Sequence, residues 1–378
     1  MSIHQRPTGH RREVASKSND SFDNHSRSSK VAYGCRSASI QACLTSWTWT
    51  AFTLTCAAVL LSWLYWAPAL TRIPILFSSP EPRESGPGFV VSDLPGRGKG
   101  MIAVRDIRRG ELLIREPPLI LVPRQITTSP SQLILDLVQQ LSPDQAASFY
   151  NLSHVNLPQG LSSEEFTRQL PLAIFQTNSV AAGPNVGLFP TMARLNHGCS
   201  HAFNSVYSWR EREEVLVVHA LKDIKRGEEL LTAYFRTQQS REERRYYLKQ
   251  NYGFHCMCAC CALPDKESKI SDDRLTTMSD LYKRLSTWGE GVIDGSEAIR
   301  IVKRIWALGE EEGYTSERGR LAADASLVAA TLSDAEAVVE WAKLGLQWAS
   351  YELGSDSDLA EEMRIVISGA KGGSVSIA

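Results

Sequence analysis

NYGFHCMCACC, residues 251–261, places four cysteines in its last six positions, in a chain with eight cysteines among 378 residues. Cys256, Cys258 and Cys261 form a C-x-C-x-x-C pattern. Thiolates this close in sequence can wrap one zinc ion, which prefers four ligands in a tetrahedron. Disulfides between such near neighbours have poor geometry. The stretch therefore predicts a structural zinc site, and a set of reduced thiols without a metal is the alternative.

The fourth ligand of this site has to come from elsewhere in the chain. Three of the remaining cysteines lie early, at Cys35, Cys43 and Cys56, whereas Cys199 lies late. The predicted zinc ligands are therefore Cys199, Cys256, Cys258 and Cys261. Cys260 is then a spare thiol or a substitute ligand.

Two further segments are informative only in combination with this cysteine pattern. RLNHGCSHAFN, residues 194–204, surrounds Cys199, although an Asn-His pair on its own marks a tight turn more often than a catalytic site. GEELLTAYF, residues 227–235, contains Tyr234 on an apolar strand, and such a tyrosine taken alone is usually a core residue. Together with the cysteines, the two segments indicate a functional site.

In this combination the sequence resembles the SET-domain methyltransferases, and in particular their SMYD-like branch, over roughly residues 86–262. Four segments match that family in the same order, namely GRGKGMIAV (96–104), RLNHGCS (194–200), GEELLTAYF (227–235) and SREERRYYLKQNYGFHCMCACC (240–261). Gly198 replaces the usual serine, and SHAFN replaces the usual Pro-Asn, with Asn204 as the late asparagine. The insert at 120–190 contains no cysteine, so no MYND finger is expected.

The resemblance implies an α+β, SET-type β-rich fold of small sheets with a helical insert, a post-SET zinc segment and a helical C-terminal region. The implied boundaries are 88–236 for the SET domain, about 128–180 for its insert, 237–262 for the zinc segment and 263–378 for the helical region. An apolar pattern at three- and four-residue steps independently predicts a helix in the insert, formed by Leu133, Ile134, Leu137, Val138 and Leu141.

The resemblance also implies S-adenosylmethionine as cofactor and a lysine of a histone or another protein as substrate. Lys99, Gly100 and Met101 are expected to line the cofactor through backbone groups, Asn196 and His197 to bind it, and Phe254 to stack on its adenine. Tyr234 is the expected catalytic tyrosine, and Tyr252 is expected to wall the lysine channel. The alternatives are a catalytically idle SET scaffold that binds proteins, and a zinc-stabilised α+β domain that binds no cofactor.

The N-terminal part differs from the rest of the chain. Residues 1–40 are basic and Ser-rich and are expected to be disordered. Residues 41–70 contain WTAFTLTCAAVLLSWLYWA (49–67), which has the length and the flanking aromatics of a membrane span. A buried core helix is the alternative. Residues 71–87 form a Pro/Ser/Gly linker. The chain is therefore single-pass and membrane-anchored, or cytoplasmic or nuclear if the segment does not span.

Three patterns make local predictions. RDIRRGELL (105–113) and KDIKRGEELL (222–231) are similar, and each predicts a hairpin around a basic turn. Ser240 with Glu243, and Ser333 with Glu336, have the spacing of capping boxes at the start of two helices.

The net charge of −1 gives no electrostatic indication of nucleic-acid binding.

Overall fold

The computed structural model describes residues 87–155 and 157–371. The predicted basic tail, the predicted membrane span and all but the last residue of the predicted linker lie outside the described residues. Within the described ranges, every helix is too short or too polar to cross a membrane.

Along the described chain, one group of helices interrupts the strands and a second group follows the last strand. The strands are β1 (Phe89–Leu94), β2 (Gly98–Ala103), β3 (Leu112–Glu116), β4 (Ile120–Pro123), β5 (Ser179–Ala182), β6 (Asn185–Leu188), β7 (Asn196–His197), β8 (Ser205–Arg210), β9 (Val215–Ala220) and β10 (Glu229–Thr232). The helices are α1 (Pro130–Gln139), α2 (Pro143–Tyr150), α3 (Ser163–Asn178), α4 (Arg241–Tyr252), α5 (Asp265–Ser286), α6 (Gly295–Glu312), α7 (Arg318–Thr331), α8 (Ala335–Glu352) and α9 (Asp358–Lys371).

The strands form three small sheets, with the orders β1-β2-β10-β7, β3-β9-β8 and β4-β6-β5. In the first sheet, β10 runs antiparallel to β2 and parallel to the short strand β7. Leu231 pairs with Asn196 and Thr232 pairs with His197. This register places the Asn-His pair beside the strand that leads to Tyr234. The predicted α+β fold of small sheets is confirmed.

The two similar Asp-Ile segments do not form separate hairpins, and that prediction is wrong. The segments pair with each other instead, through an antiparallel bridge between Ile107 and Ile224. Asp106 accepts hydrogen bonds from the Lys225 side chain at 2.8 Å and from the Arg226 N–H at 3.0 Å. A local pattern specifies strand, turn and strand but not the partner strand. Here burial of both isoleucines in the core sets the partner.

Helices α1 to α3 cover the third sheet. Ile134 and Val138 of α1, Phe149 of α2 and Ile174 of α3 pack in one apolar cluster with Leu188 of β6. The amphipathic spacing seen in the sequence therefore faces this sheet. Packing on this side fixes β5 and β6, which lead directly to the Asn-His segment.

Helices α5 to α9 form the C-terminal region, and one predicted cap there is wrong. Ser333 has a φ of 57°, outside the extended conformation that an N-cap residue needs. The next residue, Asp334, caps α8 instead, because its carboxylate accepts the N–H of Ala337 at 3.0 Å. The helix ends at Glu352, and Gly354 follows with a φ of 96°.

Candidate active site

The predicted zinc ligands come together. The Sγ atoms of Cys199, Cys256, Cys258 and Cys261 all lie within 4.8 Å of one another. Cys199 Sγ is 3.6 Å from Cys261 Sγ, and the Cys199 N–H donates to Cys258 Sγ at 3.4 Å. Four thiols gathered in a largely buried cluster are the donor set of a closed structural zinc site. Cys260 does not belong to this cluster.

Helix α4 delivers the cysteines to this position. Its capping box is confirmed, because Ser240 Oγ accepts the Glu243 N–H at 3.3 Å and the Glu243 carboxylate accepts the Ser240 N–H at 2.9 Å. Gly253 ends the helix in the left-handed region, with a φ of 73°. The chain therefore reverses between Tyr252 and Phe254.

Arg245 of α4 ties the cysteine segment back onto the helix. Its guanidinium donates to the carbonyl of Cys256 at 3.2 Å and to the carbonyl of Cys261 at 2.8 Å. The cysteines pack in one cluster with the aromatic side chains of Tyr234, Phe235, Tyr252 and Phe254. The cysteine segment and this aromatic wall are therefore one packed unit.

A cavity of about 750 Å³ lies against this wall. Its lining comes from several parts of the chain and includes Arg97, Lys99, Asn196, His197, Tyr234, Tyr252 and Phe254. One end is polar and the other is aromatic. The cavity therefore has the composition of a site for a ligand with a charged end and a planar end.

The polar end is organised by Glu229, which the sequence analysis missed. Its carboxylate accepts the Asn196 side-chain N–H at 2.9 Å and forms a salt bridge with Arg97. A Cβ on Gly100 would lie 2.8 Å from Asn196 Nδ2 and 2.9 Å from Glu229 Oε1. A larger residue at this position would displace the Asn196 and Glu229 side chains. Arg97 and Glu229 stand inside the two motifs already noted, GRGKG and GEEL, and that placement was the available signal.

The other two residues predicted on β2 differ in position. Lys99 lines the cavity, and its ammonium group lies 3.2 Å from the carboxylate of Asp93. Met101 has a fully buried side chain that packs in the sheet core and is not part of the cavity lining. The side chain of Met101 therefore supports the strand from behind.

Tyr234 is held by two hydrogen bonds. Its hydroxyl donates to the carbonyl of Leu195 at 2.9 Å, and its N–H donates to His197 Nδ1 at 3.1 Å. Its ring centroid lies 4.9 Å from that of Tyr252. Burial raises the pKa of both phenols well above the usual range. Both hydroxyls therefore stay protonated at neutral pH.

The His197 side chain points to the cysteine cluster. Its Nε2 lies 3.0 Å from Cys199 Sγ, and its ring stacks on Phe235 with centroids 5.4 Å apart. Burial lowers its pKa to about 4, so the ring is neutral. A neutral ring with Nδ1 as acceptor carries its proton on Nε2, facing the sulfur. His197 thus joins the backbone of Tyr234 to the cysteine cluster.

Residues 98–235 match the family model of the SET domain. The chain contains a SET domain. The resemblance suggested by the four sequence motifs is confirmed.

Relatives with curated names match this SET domain and its surroundings. Histone-lysine N-methyltransferase set5 of Schizosaccharomyces pombe is 27% identical over 273 residues, which is 71% of this chain and 80% of that protein. Histone-lysine N-methyltransferase SMYD3 of Mus musculus is 34% identical over 26% of this chain and 22% of its own length. Protein-lysine N-trimethyltransferase SMYD5 of Mus musculus is 34% identical over 23% of this chain. The chain therefore spans most of the yeast relative but only 22% and 21% of the two mouse relatives.

Among solved structures, the SET domain of LSMT bound to lysine and AdoHcy aligns with 76% of this chain and covers 84% of its own length. The identity is 12% and the TM-score is 0.32. A TM-score this low does not by itself establish a shared fold.

Zinc removal tests the structural role of the cysteine cluster. We expect Cys258→Ser to lose one zinc ion per chain and several kcal/mol of unfolding free energy, because metal binding at such sites contributes directly to folding. Zinc content by mass spectrometry and chemical denaturation measure both effects. Cys43→Ser, outside the SET domain, is the matched control and should change neither. Unchanged zinc content in Cys258→Ser would rule out the four-cysteine site.

Proposed function

We propose that this chain is an S-adenosylmethionine-dependent protein-lysine N-methyltransferase acting on a histone or another protein. The observation that carries the proposal is Tyr234, a partly buried tyrosine whose hydroxyl donates to the Leu195 carbonyl in the cavity of a SET domain. The curated names of the relatives support the same activity, since each is a lysine methyltransferase.

The cavity fits this cofactor at both ends. S-adenosylmethionine supplies an electrophilic methyl group on a sulfonium centre, together with a charged amino-acid end and a planar adenine. Arg97 and Asn196 offer a cation and an amide for the amino-acid end, Lys99 lines the cavity, and the missing Cβ of Gly100 leaves room beside β2 for the Asn196 and Glu229 side chains. Phe254 offers an aromatic face for the adenine.

Tyr234 and Tyr252 are proposed to receive the substrate lysine. An apolar aromatic wall disfavours the charged form of an amine, and the neutral amine is the nucleophile. Because the Tyr234 hydroxyl donates to Leu195, its oxygen remains free to accept a hydrogen from the incoming amine. Methyl transfer needs alignment and exclusion of water rather than a covalent enzyme intermediate. His197 and the cysteine cluster hold this geometry without touching the reacting atoms.

Removal of one hydroxyl tests the proposed chemistry. We expect Tyr234→Phe to lower the transfer of labelled methyl groups from S-adenosylmethionine into a cell protein extract by about 100-fold, as for loss of one oriented hydrogen-bonding group at the reacting centre. Tyr246→Phe is the matched control, because this tyrosine is 69% exposed on α4. Equal rates for the two variants would argue against a catalytic Tyr234. A parent chain that is folded and binds the cofactor but transfers no label would instead be an idle SET scaffold.

Glu229 is proposed as a positioning residue that holds Asn196 and Arg97. We expect Glu229→Gln to weaken cofactor binding at least about tenfold, because a charged hydrogen-bond partner contributes about 1.5–3 kcal/mol. Binding calorimetry and the KM for S-adenosylmethionine measure the effect, while kcat at saturating cofactor should change little. Glu228→Gln is the control, since that carboxylate is exposed and only accepts the Lys225 N–H, at 2.9 Å. A large fall in kcat together with the rise in KM would indicate general misfolding instead.

The location of the chain is a further proposal, because the segment concerned lies outside the described residues. We propose that residues 49–67 anchor the chain in a membrane, with the SET domain facing a reducing compartment where free thiols persist. The full chain should then stay with membranes through carbonate extraction. A chain without residues 41–70 should be released. Release of both chains would contradict the anchor.

A further inference from the structure

Two sequence features are not explained by methyl transfer. His201 stands in the SHAFN segment, where the SET resemblance leads one to expect Pro-Asn, and Cys260 is not part of the four-cysteine cluster. The fold brings these two residues together with Glu312 at the end of α6. One ligand atom from each residue lies within 4.8 Å of the other two.

We propose that His201, Cys260 and Glu312 bind a second zinc ion, separate from the four-cysteine site. An imidazole nitrogen, a thiolate sulfur and a carboxylate oxygen are the three ligand types that zinc accepts in proteins. The Cys260 side chain is fully buried, and the Glu312 side chain is 2% exposed. The His201 side chain is 30% exposed, so water can reach a fourth coordination position beside it.

The two sites are built on the same two short segments. Cys199 and His201 are separated by a single residue, and Cys260 and Cys261 are adjacent. In each pair, one member faces the four-cysteine cluster and the other faces the second group. Binding of the first metal therefore fixes the backbone that carries two of the three proposed ligands.

The third ligand belongs to a different part of the chain. Glu312 ends a helix of the C-terminal region, whereas His201 follows β7 and Cys260 follows α4. A metal at this group would therefore join the SET domain, the cysteine segment and the C-terminal helices. Because only one of its ligands is a thiolate, we expect this site to hold zinc less tightly than the four-cysteine site.

Hydrogen bonds gather the members of this group around Glu312. Glu312 Oε1 accepts from Ser271 at 2.5 Å and from Ser200 at 3.1 Å, and it lies 3.5 Å from His201 Nδ1. The two serine hydroxyls are donors that a metal can replace on this oxygen.

Two arginines border the same group. Arg274 lies 3.6 Å from the other carboxylate oxygen of Glu312, and Arg244 lies 3.4 Å from Cys260 Sγ. The competing interpretation is therefore a hydrogen-bonded and ionic network that holds no metal. The number of ions bound per chain separates the two interpretations.

Metal counting on the full chain tests the second site. After loading with zinc and removal of the excess, we expect two zinc ions per chain by mass spectrometry. Cys260→Ser, Glu312→Gln and His201→Asn should each hold one. Glu311→Gln, the adjacent carboxylate on the same helix, is the matched control and should hold two.

Cobalt substitution provides a readout that does not depend on the variants folding well. Titration of the metal-free parent chain should show two equivalents. The first should have the intense thiolate charge-transfer band of a four-sulfur site, and the second a weaker band from one sulfur. A single equivalent in the parent chain, or a second ion retained in both His201→Asn and Glu312→Gln, would overturn the proposal.

Discussion

The meeting of Cys199 with the three cysteines of residues 256–261 is the constraint on which the candidate site depends. Cys199 comes directly after Asn196, His197 and Gly198, and the other cysteines come directly after Tyr252 and Phe254. Joining these segments places the Asn-His strand against the aromatic end of α4. The wall of the cavity is therefore assembled from residues far apart in sequence, and the cluster fixes both sides at once.

The side chain of His197 extends this constraint to the chemistry. Its ring contacts Cys199 Sγ on one side and accepts the Tyr234 N–H on the other. The Tyr234 hydroxyl is in turn fixed by the carbonyl of Leu195. A chain of direct contacts thus runs from the cysteine cluster to the phenol proposed to orient the lysine. Preorganisation of this kind allows a hydroxyl to act without a reorganisation cost during the reaction.

Features that depend on residues close in sequence were predictable. The C-x-C-x-x-C pattern and the Ser240 capping box are each specified within a few residues, and the structure places them as the sequence indicates. Tyr234, expected on a strand, lies just past it, because β10 ends at Thr232. The SET resemblance indicated the role of the segment around Cys199 and predicted the fold of small sheets. The cap at Ser333 failed because its backbone is left-handed, so that Asp334 takes its place.

Features that depend on distant partners were not predictable from one sequence. The segments around Ile107 and Ile224 were expected to fold back on themselves, yet each finds its partner in the other. Glu229 was missed because its role depends on two residues from other parts of the sheet. Asn196 reaches it from β7, and Arg97 reaches it from the turn between β1 and β2. Glu312 lies 111 residues from His201 in sequence, and no local pattern connects them.

The identity of the methylated amino acid tests the account most directly. The full chain, loaded with zinc, would be incubated with a protein extract and S-adenosylmethionine carrying a labelled methyl group, and the labelled proteins would then be hydrolysed to amino acids. The account predicts that the label is recovered in N-methylated lysine. Label in another amino acid, or no label from a folded chain with a full complement of zinc, would contradict it.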